Sequence, residues 1–103
     1  IANLGALRSA YSIYYSNFLE QPKSLDPQQE PKFAEVLPNG QLPLVKAAYP
    51  QGNSPRGREL TVATVNGQGP TTMGTGWFYN NASGEIYINS IANDIKGNPY
   101  TFY

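Results

Sequence analysis

ANLGALRSAYSIYYSNFLE, residues Ala2 to Glu20, is the stretch on which the fold turns. Leu4, Leu7, Tyr11, Tyr14 and Phe18 recur at alternating spacings of three and four, which predicts one apolar stripe of a helix over Ala2 to about Glu20. Projected at about 100° per residue, these five form the stripe that faces the core, with Tyr15 at its edge. Gly5, Arg8, Ser9, Ser12 and Ser16 make a polar arc. Ala2, Ala6 and Ile13 fall on a second, smaller apolar strip away from the first. Pro22 disfavours helical geometry at Gln21 and so supplies the stop.

Outward from the helix, PKSLDPQQEP, Pro22 to Pro31, has three prolines and almost no apolar residues, and reads as a surface connection. PKFAEVLP, Pro31 to Pro38, reads as a short helix: Pro31 suits its first turn, Phe33, Val36 and Leu37 share a face, and Pro38 ends it. Asn39-Gly40 turns the chain, and QGNSPRGRE, Gln51 to Glu59, has the composition of an exposed loop. LTVATV, Leu60 to Val65, alternates β-branched residues as a strand does. GWFYNN and EIYINS flank Ala82-Ser83-Gly84 in a hairpin pattern. The tail has a Lys96-Gly97-Asn98-Pro99 turn and docks either as an edge strand or on the hairpin. The expected architecture is therefore a single α+β domain over residues 1–103, a long N-terminal helix packed on a three- to four-stranded antiparallel sheet. Its parts are the helix at 1–20, a loop with the short helix at 21–59, and the sheet and tail at 60–103.

At 103 residues the chain has room for one core. Charge is zero, seven basic against seven acidic, so the electropositive footprint of a nucleic-acid binder is missing. Neither Cys nor His occurs, which removes the usual zinc ligands, the thiol nucleophile and the commonest general base together. Asp26, Glu30, Glu35, Glu59, Glu85 and Asp94 are scattered, and no nucleophile has an activating partner, so neither an enzyme nor a cofactor site is expected. The glycines of GQGPTTMGTG, Gly67 to Gly76, lack the Lys-Ser/Thr and the following helix of a phosphate loop. Asn81-Ala82-Ser83 matches the glycosylation acceptor pattern by chance, and Arg56, Arg58 and Glu59 read as a solvated turn.

Four segments in order carry a family resemblance. ANLGALRSAYSIYY, Ala2 to Tyr15, resembles the exposed half of the long N-terminal helix of type IV pilins and type II secretion pseudopilins. PKFAEVLP is similar to the segment that comes next in many pseudopilins, GWFYNNASGEIYIN resembles the family's Gly-Trp-aromatic-Tyr hairpin, and NDIKGNPYTFY, Asn93 to Tyr103, resembles its Asp-x-Lys-Gly-x-Pro tail. The resemblance implies a structural subunit that assembles with copies of itself and with other pilin-like subunits into a helical filament. It also implies an inner-membrane precursor whose head is periplasmic or extracellular. The chain opens at Ile1 within the helical pattern and is read as a fragment or processed product, with any membrane segment ahead of residue 1. Only Glu85 and Asp94 supply carboxylates where the major pseudopilin carries an acidic calcium loop, so no metal site is expected. In the filament reading Ala2, Ala6 and Ile13 form the interface strip. The alternative is a secreted carbohydrate-binding module, with the Trp77 face of the hairpin stacking on sugar rings.

Overall fold

The computed structural model describes residues 2–37, 40–45, 57–91, 97 and 99–102. Helix α1 (Ala2–Phe18) is followed by a one-turn helix α2 (Pro31–Ala34) and strands β1 (Leu60–Ala63), β2 (Met73–Asn80) and β3 (Glu85–Ser90). The chain is α+β, with a helix of 17 residues in place of the long one expected. No acidic residue sits in the first turn of α1 and no basic residue in its last, so the helix dipole is uncompensated at both ends. Packing of the apolar face therefore holds the helix in place. Leu4, Leu7, Ala10 and Tyr14 are buried, and Tyr11 and Phe18 pack partly buried against the same cluster.

The helix stops before Pro22 acts. Leu19 takes the left-handed conformation at φ 56°, and its amide donates to the Tyr15 carbonyl at 2.8 Å, which closes the last turn. The next segment is less superficial than its composition suggests. Pro22, Ser24 and Leu25 are buried, and Asp26 organises the turn by accepting the Gln28 amide on Oδ1 at 2.9 Å and the Glu30 amide on its carbonyl at 2.8 Å. The expected helix from Pro31 to Pro38 is α-helical only as far as Ala34 and continues as turns, but it still buries Phe33 and Leu37. Phe33 packs on Tyr14, ring centroids 5.9 Å apart. Pro38, Asn39, Gln51 to Arg56, Lys96 and Asn98, where sequence places a helix end, a turn, a loop and a second turn, lie outside the described residues.

The sheet is mixed, in the order β1-β2-β3, and this corrects the antiparallel expectation. β2 and β3 form the antiparallel hairpin, with Trp77 opposite Ile88 and Tyr79 opposite Ile86. β1 pairs with β2 in parallel, from Leu60 opposite Trp77 to Ala63 opposite Asn80. Asn66-Gly67 turns the chain as expected of such a pair, yet the segment after it runs back along the sheet before it enters β2. A parallel return usually needs a dozen residues or more. Here the segment between Ala63 and Met73 suffices because β1 is only four residues long, about 13 Å of strand.

Two residues adapt β2 to both neighbours. From Met73 to Trp77 the strand advances four positions while β3 advances two, from Ser90 to Ile88, so β2 is bulged there. Gly76 sits in the bulge at φ 75°, and a Cβ on it would lie 2.7 Å from the Glu59 backbone nitrogen. Only glycine satisfies both the conformation and the approach of β1. At the other end Asn80 is buried, and its Nδ2 donates to the carbonyls of Val65 at 2.8 Å and Gln68 at 3.1 Å. Its Oδ1 accepts the amides of Ala82 at 2.9 Å and Ser83 at 3.1 Å. One side chain thus joins the hairpin turn to the start of the crossover. The tail docks on β3 through a 3-10 turn at Tyr100–Phe102 with Tyr100 buried, so no fourth strand is found among the described residues.

Candidate assembly surface

The orientation of α1 is set from both flanks. Asn3 Nδ2 donates to the Leu44 carbonyl at 2.7 Å, and Arg8 Nη2 donates to the Ile86 carbonyl of β3 at 2.9 Å. Sequence places Arg8 only on a solvated arc; its long side chain reaches back over the hairpin. With the helix held in this way, the direction in which each remaining residue points is fixed.

Ile13 is 51% exposed. Ala6, two helical turns before it, is exposed, and Ala2 lies on the same strip by register, although its side chain is outside the described residues. Ser9, Ser16 and Asn17 surround Ile13 and are all exposed. The patch carries no charge, and a single large apolar side chain stands at its centre among small residues. A surface of this kind can pack closely on another apolar or small-residue surface without stranding a charge. Leu19, just past the end of α1, is 80% exposed.

The hairpin aromatics are disposed differently from the open platform that sugar stacking requires. Trp77 is 1% exposed, and its Nε1 donates to the Pro43 carbonyl at 2.8 Å. Tyr79, Ile86 and Ile88 are buried on the same face, under the helix and the loop after α2. Phe78, on the opposite face, is also buried and packs on Tyr87 at 6.2 Å between centroids. The Trp77 face is closed by α1 and the loop after α2, long-range contacts that sequence alternation alone could not register.

Of the charged residues singled out, Arg58 and Glu59 are exposed, and Glu59 accepts a hydrogen bond from Thr75 Oγ1 at 3.0 Å. Arg56 and Asp94 lie outside the described residues. Glu85 accepts the hydroxyl of Tyr87, which holds that phenol above its ordinary pKa, with burial adding to the shift. Among the described residues no three acidic groups gather in one place. No helix among them is long and apolar enough to cross a membrane. Asn81, of the acceptor-like triplet, is partly buried and donates from Nδ2 to the Lys23 carbonyl at 3.1 Å.

Asn80 is the residue whose importance sequence reading missed. The signal for it is its position directly before the turn, where an Asn side chain mimics a backbone turn. No protein-family model matches the chain, and searches of curated proteins and of solved structures find no match.

Proposed function

We propose that the chain is the globular head of a pilin-like subunit, serving a type IV pilus or a type II secretion pseudopilus, and that it assembles into a helical filament. The observation that carries this reading is Ile13, half exposed on an uncharged strip of α1 while the helix already buries a separate stripe in its own core. A free-standing domain needs one buried helix face; a second one has use where helices pack side by side. The four family-like segments, in family order, support the same reading. In it an apolar segment ahead of α1 anchors the precursor in the inner membrane and bundles with its copies along the filament axis. The heads then pack around that bundle, and the partners are copies of the chain and other pilin-like subunits.

The test is Ile13→Glu in the full-length subunit, with filaments scored by electron microscopy and folding of the head scored by thermal melting. The reading requires a folded head and no filaments. Normal filaments from the variant would refute it.

A further inference from the structure

A shallow pocket lies along α1, floored by Tyr11 and Tyr15, each about 160° from Ile13 by the helical repeat, and bordered on the Ile13 side by Ser12 and Ser16. Tyr11, Ser12, Tyr15, Ser16 and Gln21 line it, with a volume of about 380 Å³. Tyr11 and Tyr15 are one helical turn apart, with ring centroids 6.4 Å apart and planes inclined at 31°, so the rings form a continuous shelf. Tyr11 is fixed from behind by the buried Tyr79, centroids 6.1 Å apart. The Tyr11 hydroxyl and the Gln21 side-chain nitrogen both lie over Gly84, where a Cβ would collide with the hydroxyl. Gly84 takes φ 79°, so glycine suits both the turn and the seating of that ring. Tyr15, in contrast, is 46% exposed and presents an open ring.

Every lining residue is uncharged, which leaves an ionic ligand without a partner. The rim is polar, so a wholly apolar ligand would mask hydroxyls and an amide without bonding them. Ser12 already donates its hydroxyl proton to the Arg8 carbonyl at 3.2 Å, and its oxygen is left as an acceptor. Gln21 and Ser16 offer both donors and acceptors at the opposite rim. What suits an aromatic floor with a neutral hydrogen-bonding rim is a flat molecule with C–H groups on its faces and hydroxyls at its edge. Ring faces carry negative charge density and attract weakly positive C–H groups.

We propose that the Tyr11–Tyr15 shelf is a binding site for neutral saccharide, in which a gluco-configured pyranose stacks on Tyr15 while its hydroxyls bond to Ser12, Ser16 and Gln21. The site borders the assembly patch at Ser16, but its aromatic floor of Tyr11 and Tyr15 faces away from Ile13, and it does not depend on the filament reading. Its shallowness implies weak binding per site, which repetition along an array of copies would strengthen.

The experiment is an NMR titration of the 103-residue chain with cellohexaose, with maltohexaose and dextran sulfate as comparisons, following the Tyr and Gln side-chain signals. Saturable shifts at Tyr11, Tyr15 and Gln21 are expected with cellohexaose at millimolar concentration, and none at that shelf with the sulfated polymer. Tyr15→Ala should weaken binding by about tenfold or more, and Tyr15→Phe, which keeps the ring, should bind within about threefold of the parent. Unchanged melting of both variants shows that the fold is intact. No shift with any neutral saccharide, shifts located elsewhere, or full binding by Tyr15→Ala would each overturn the proposal.

Discussion

The hydroxyl of Tyr79, at the centre of the sheet, donates a hydrogen bond of 2.6 Å to the carbonyl of Pro22, the residue that sequence reading assigns to the end of the helix. Both partners are buried. The bond fastens the return from α1 to the sheet face beneath it. Tyr79→Phe keeps the ring and leaves the carbonyl with no donor, and should reduce stability by about 1–3 kcal/mol in urea unfolding. A loss below a few tenths of a kcal/mol would mean that water replaces the hydroxyl.

Alkaline pH should act on the same residue. Burial raises the Tyr79 pKa well above the ordinary phenol value of 10.0, and the neighbouring Tyr11 and Tyr14 add to the rise. Tyr14 is raised by burial and then by the carboxylates of Glu30 and Glu20, and Tyr11 by burial and then by Tyr15. A phenol held protonated in the folded state stabilises it fully below the unfolded pKa, and that contribution is lost as pH rises toward the folded pKa. Melting temperature should therefore not respond to these tyrosines below about pH 10 and should fall above it. The fall should be shallower in Tyr79→Phe. An identical slope in parent and variant would exclude Tyr79 as its cause.

Adjacent residues of α1 should give opposite outcomes. Tyr14 is 1% exposed and packs on Phe18, centroids 4.7 Å apart, and on Phe33, so Tyr14→Ala should cost about 3 kcal/mol or more. That is a large share of a total of about 5–15 kcal/mol. Ile13→Glu places a carboxylate on a half-exposed site and should shift stability by only about 0.5 kcal/mol in the head alone. In the assembled filament the same carboxylate meets an apolar contact without a partner and should block assembly. If Ile13→Glu unfolds the head, that strip belongs to the core and the filament reading loses its main support.

Leu19 offers a stabilising change. It holds the left-handed conformation, which costs an L-residue about 1–2 kcal/mol, and its side chain is almost wholly in solvent. Leu19→Gly removes the strain, while the added freedom of the unfolded chain offsets about half of it. The expected gain is about 0.5–1 kcal/mol, seen as a higher melting temperature. A lower one would show that the Leu19 side chain contributes packing.

The helix, its buried and exposed sides and the hairpin are legible in the residues alone, because each depends on local periodicity. Spacings of three and four place Leu4, Leu7 and Tyr14 inward and Ile13 outward. Alternation over Glu85–Ser90 places Ile86 and Ile88 on one face, and Gly84 marks the turn. Strand direction belongs to the tertiary structure, because Asn66-Gly67 has the same local chemistry whether the chain then pairs with its neighbour or passes it. The parallel arrangement is selected by long-range contacts: the approach of Glu59 to Gly76, and the Asn80 side chain on the Val65 and Gln68 carbonyls. Burial of Trp77 under α1 and the loop after α2, and of Phe78 beside Tyr87, is likewise tertiary, since alternation leaves open which faces are covered. The Tyr11–Tyr15 shelf is half legible, since periodicity places Tyr15 at the edge of the core. The remainder needs Gly84 and Gln21, distant from Tyr11 in sequence, to be brought against its hydroxyl by the fold.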